Sequence, residues 1–102
     1  MVMKKTQRQI DAEKIPEDYP IVKRFFFAVY QIITEGLATD FKNFCEENGI
    51  EPRNLERLIK NPHRQFNPMY LTILVQKYRY SAHWLLTGEG KIKLKHPLDV
   101  LK

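Results

Sequence analysis

The positive charge of this chain is unevenly placed. Over residues 1–20 the basic and acidic side chains cancel, whereas Arg53, Arg57, Lys60 and Arg64, and then Lys91, Lys93 and Lys95, gather downstream. Guanidinium and ammonium groups collected in this way attract polyanions through Coulomb forces and counterion release, with no covalent step. The formal net charge of +5 at pH 7 agrees with that chemistry.

Other reactive side chains offer less. Cys45 is the only cysteine, so no internal disulfide can form, and one thiolate is too few for a structural zinc site. No basic partner is implied beside it, and it reads as a small buried contact residue in a reducing compartment. His63, His83 and His96 are spread too widely for a local metal motif. The chain has neither a glycine-rich phosphate loop nor a serine-histidine-aspartate set. The reading is therefore non-enzymatic, with no metal and no cofactor.

What positions the basic groups must be a single domain. A length of 102 residues supports one core of four or five helices and leaves no room for a separate sensor domain. With 43% hydrophobic and 28% charged residues the composition is that of a soluble globular protein. The apolar runs Phe25 to Tyr30 and Leu71 to Val75 fall far short of the roughly 20 residues a bilayer span needs. Met1 to Ile10 does not resemble a signal peptide, and the cytoplasm, in association with the nucleoid, is the expected location.

Residues 1–20 show little periodicity and end in Ile15-Pro16-Glu17-Asp18-Tyr19-Pro20, which predicts a flexible leader arm without a helix. From Ile21 the pattern changes: Val22, Phe26, Val29, Tyr30 and Ile33 recur at helical steps, so a first helix should run to about Gly36. Phe25, Phe26 and Phe27 cannot all point inward, because successive residues turn by about 100°. Asp40 is a good N-cap for a second helix, with Phe41, Phe44, Cys45 and Asn48 on one face and Gly49 at its end. Pro52 suits the first position of a third helix, whose apolar face is Leu55, Leu58 and Ile59 and which Asn61-Pro62 ends.

A fourth helix should start with Asn67 as cap and Pro68 first, its core face being Leu71, Leu74, Val75 and Tyr78, with Phe66 facing Leu71 as a staple. The fifth is capped by Ser81, with Tyr80 facing Leu85, and stops at Gly88; Trp84 should plug the core. Only Lys91 to Lys95 alternates like a strand, within a basic tail over 91–102 that can serve as solvated surface, phosphate arm or dimer-forming strand.

The informative stretch is Phe41 to Lys60. Two short helices crossing near a right angle need a small residue where they touch, a glycine to reverse the chain, and large apolar residues to lock one on the other. Cys45, Gly49, and Phe44 with Ile50, Leu55 and Leu58 fill those places. Here the chain resembles the lambda-repressor/Cro-like helix-turn-helix regulators of bacteria and phages, also called the xenobiotic-response-element family. Trp84-Leu85-Leu86-Thr87-Gly88-Glu89-Gly90 looks like the ending common in stand-alone members, and the likeness covers residues 21–90.

The resemblance implies an all-α, compact five-helix bundle containing a helix-turn-helix. It further implies that Pro52 to Lys60 is a recognition helix lying in the major groove of double-stranded DNA. Arg53, Asn54, Glu56 and Arg57 would then face bases: arginine suits guanine, asparagine adenine, and glutamate accepts from cytosine. Lys60, His63 and Arg64 would meet phosphate. Phe41 departs from the family's polar residue, and Glu51 from its serine or threonine cap. Glu51 and Glu56 would repel a polyanion unless Arg53, Arg57 or Lys60 pairs with them. The expected function is that of a homodimeric transcriptional repressor. The alternative is a protein-binding module, such as an antitoxin or phage adaptor, that keeps the helices and binds another protein.

Overall fold

A computed structural model of the chain describes residues 5–94. Among these residues the regular structure is helical: α1 (Gln7–Glu13), α2 (Pro20–Thr34), α3 (Phe41–Glu47), α4 (Pro52–Lys60), α5 (Met69–Tyr78) and α6 (Ala82–Thr87). The helices expected from periodicity and capping correspond to α2 through α6. The expectation of five is corrected to six by α1, which lies in the stretch read as a helix-free arm. No helix of the described residues is long and apolar enough to cross a membrane. Lys95, His96 and the rest of 95–102 lie outside the described residues, as do residues 1–4.

The chain divides into two units, Met1–Phe66 and Asn67–Lys102. In the first, α1 begins where the Thr6 hydroxyl accepts the Gln9 N–H at 3.1 Å, and it buries Ala12 while Ile15 is buried just beyond it. The carbonyls at its end are not left to solvent. Lys23 of α2 donates to Glu13 O at 3.0 Å and to Ile15 O at 2.6 Å, which satisfies acceptors that a helix terminus would otherwise leave orphaned.

α2 is the central element. Val22, Phe25, Phe26, Ala28, Val29, Tyr30 and Ile32 are all buried along it, a face wider than the single stripe the sequence suggests, because α1 packs on it as well as α3. Of the three consecutive phenylalanines, Phe25 and Phe26 are buried and meet edge to face with centroids 5.1 Å apart. Phe27 is the one left out, 51% exposed. Phe25 also meets Phe66 edge to face at 5.4 Å, so the segment after α4 is tied back to α2.

In the second unit α5 packs on α6. The Asn67 carboxamide oxygen accepts the Met69 N–H at 3.0 Å, so Asn67 supplies the capping chemistry expected of it, although the regular helix starts one residue later than the letters suggest. Of the predicted core face of α5, Leu74 and Tyr78 are buried, while Leu71 and Val75 are only partly covered and line a cleft with Leu85 and Leu86. The Ser81 hydroxyl caps α6 through the Trp84 N–H at 3.1 Å. Trp84 and Leu85 are buried as expected of a plug. Tyr80 and Lys93 form an isolated antiparallel bridge, flanked by Ser81 N–H to Ile92 O at 2.9 Å and Leu94 N–H to Arg79 O at 2.8 Å. That is the structural content of the alternating pattern in Lys91 to Leu94.

Candidate nucleic-acid interface

Asp40 starts α3 by accepting the Asn43 N–H at 2.8 Å, while the Asn43 side-chain oxygen accepts the Thr39 N–H at 3.0 Å. This reciprocal pair satisfies first-turn donors on both sides of the cap. α3 buries Phe41, Phe44 and Cys45. Phe41 stacks on Tyr30 with centroids 6.1 Å apart; the position is apolar because it belongs to the core.

The turn from α3 to α4 is closed by two bonds, Ile50 N–H to Cys45 O at 2.9 Å and Gly49 N–H to Glu46 O at 3.4 Å. This is the double bond pattern of a helix ending on a left-handed residue, and Gly49 takes that conformation with φ of +66°. Ile50 is buried and Cys45 fully so. Burial pushes the Cys45 thiol up to about 12, with Arg8 pulling the other way, so it stays protonated at neutral pH.

α4 carries most of the predicted site. Glu51 stands at its N-cap but makes no side-chain capping bond, and Pro52 fills the first helical position. Leu55, Leu58 and Ile59 are buried; Arg53, Asn54, Arg57 and Lys60 are exposed. With each residue advancing about 100°, Arg53, Arg57 and Lys60 fall within about 60° of arc on the side opposite the buried face. Asn54 flanks the stripe on one side and Glu56 on the other. Arg57 and Lys60 also sit in the last turn, where cations complement the exposed carbonyls.

Beyond α4 the Asn61 N–H returns to Arg57 O at 2.8 Å and the Arg64 N–H to Asn61 O at 3.0 Å. With Phe66 anchored on Phe25, this short loop holds His63 and Arg64, both exposed, just past the helix end. Every residue singled out for base or phosphate contact therefore belongs to the first unit.

Glu56 differs from expectation. It is only partly exposed, and its partner is none of Arg53, Arg57 or Lys60: Arg8 of α1 reaches it, Nη2 to Oε2, at 3.3 Å. The same guanidinium lies over the Phe41 ring, 4.4 Å from its centroid, and α1 packs on α4. Reading by sequence missed Arg8 because its partner is 48 residues away. A signal for the helix that carries it was nevertheless present, since Thr6 followed by Gln9 has the letters of a capping box. Nearby, the Tyr30 hydroxyl is buried with no hydrogen bond of ordinary geometry, and burial pushes it up to about 12 against the charge and side-chain hydrogen bonding of the neighbouring Arg8 guanidinium.

No protein-family model, curated protein or solved structure matches this chain.

Proposed function

We propose that this protein is a sequence-specific double-stranded-DNA-binding regulator of the lambda-repressor/Cro-like kind, in which α3, the Gly49 turn and α4 act as a helix-turn-helix. The observation that carries this reading is the outward face of α4, where Arg53, Arg57 and Lys60 stand exposed while Leu55, Leu58 and Ile59 lock the helix onto the core. A rigid helix with one cationic stripe has the width and the charge to enter a major groove.

On this reading Arg53, Asn54 and Arg57 meet base edges, and Lys60, His63 and Arg64 hold phosphate on either side. Glu56, engaged by Arg8, is withdrawn from the base-reading set. The protein binds as a homodimer with one α4 per successive major groove, and it represses by occupying its site. Phe27 and Leu86, 51% and 54% accessible, are among the exposed apolar side chains of the described residues and favour self-association.

Selecting bound sequences from a random duplex pool tests the reading. A two-fold-symmetric motif is expected. Recovery of no motif, together with a protein that co-purifies after nuclease treatment, would overturn it in favour of a protein-binding module.

A further inference from the structure

The cationic stripe of α4 is bordered on one side by Glu56, a carboxylate at the rim of the face that would approach phosphate. Arg8 meets that carboxylate at 3.3 Å, with the two side chains 38% and 43% exposed. A pair this accessible adds little to stability. Yet the guanidinium has a second contact: its centre lies 4.4 Å above the ring of Phe41, itself buried and stacked on Tyr30. An arginine carries five N–H donors in a planar fork, so one part can hold Glu56 while another remains open to an incoming anion.

We propose that Arg8 is a positioning residue of the DNA-contacting face. It cancels the charge of Glu56 at the edge of α4 and continues the basic surface from α4 onto α1. This inference rests on the DNA-binding reading and extends it to a helix outside the helix-turn-helix. Without Arg8 an unpaired carboxylate would stand beside the phosphates and oppose the counterion release that drives association. Because Arg8 touches no base, its effect is the same on every sequence.

The test is a titration of the full chain against its selected duplex and a random duplex at two salt concentrations, with R8A, R8K, E56Q and R8A/E56Q beside the parent. R8A should weaken binding to both duplexes by roughly three- to tenfold. R8K should stay near the parent, and R8A/E56Q should recover most of the loss because the charge balance is restored. E56Q keeps Arg8 over Phe41 and should bind both duplexes more tightly, which is decisive even if R8A fails to fold. The inference is overturned if R8A binds as the parent does, if it binds more tightly because α1 had covered α4, if the double variant stays as weak as R8A, or if E56Q fails to tighten binding. A parent that binds no duplex overturns the DNA-binding reading and this inference with it. A parent that binds while these variants behave otherwise than stated overturns this inference alone.

Discussion

The backbone N–H of Ile50 donates to the carbonyl of Cys45 at 2.9 Å, across a turn whose left-handed residue is Gly49 at φ of +66°. This bond sets where α4 leaves α3, and so where Arg53 and Arg57 point. A Cβ at Gly49 would meet no heavy atom within 4 Å, so the cost of an alanine there comes from the backbone conformation and not from a clash. Gly49→Ala should lower stability by about 1–2 kcal/mol. Gly49→Val should lower it further, since a β-branched residue is the more strained there. Thermal melting measures both. Variants that melt with the parent would mean that the reversal does not depend on Gly49.

Alkaline pH should destabilise the protein from a defined onset. Cys45 is raised from 9.0 to about 12 and Tyr30 from 10.0 to about 12, in both cases first by burial. Both groups are held neutral in the folded state and ionise more readily when unfolded. Their contribution is fully present below pH 9 and is lost as pH rises toward 12. Stability measured by denaturant titration should therefore fall across that window. In Cys45→Ala the onset should move up toward pH 10, where only Tyr30 remains. At pH 8 the Cys45 thiol should resist alkylation until the chain unfolds, whereas rapid labelling of folded protein would contradict its burial.

Much of the framework of the candidate site was legible in sequence because its signals are local. Asp40, Gly49, Pro52 and Ser81 each mark a helix boundary through one backbone requirement, and the structure places α3, α4 and α6 accordingly. The exposure of Arg53 and Arg57 follows from the same periodicity that buries Leu55 and Leu58. What was not legible depends on distant contacts. α1 buries only Ala12 within its span, too little to register as periodicity, and Pro16 and Pro20 after it made the whole segment read as an arm. The pairing of Glu56 with Arg8, and the apolar role of Phe41 beneath it, appear only once α1 is laid against α2 and α4 and Arg8 reaches over Phe41. The wide buried face of α2 has the same origin.

Tyr30 offers a separate check on that layer. Its hydroxyl is buried with no hydrogen bond of ordinary geometry, and the Arg8 side chain beside it offsets only part of the effect of burial; a buried hydroxyl left unsatisfied costs about 1–3 kcal/mol. Tyr30→Phe removes the unsatisfied atom and keeps the ring stacked on Phe41. The variant should melt at or above the parent temperature and lose part of the alkaline sensitivity. A clear drop in melting temperature would show that the hydroxyl has a partner in solution.

The central claim is that the outward face of α4 reads DNA, and it is tested most directly by separating readers from holders. Arg53 and Arg57 stand on that face, whereas Lys60 closes the helix and Arg64 lies in the loop beyond it. Parent and single alanine variants are titrated against the selected duplex and a random duplex over a range of salt. Arg53→Ala and Arg57→Ala should each lose about 1–3 kcal/mol on the selected site and less on random DNA, with preference relaxed at one base position. Lys60→Ala and Arg64→Ala should weaken both duplexes alike and each lower the salt slope by roughly one. If all four variants bind both duplexes as the parent does, α4 does not enter the groove and the account is contradicted.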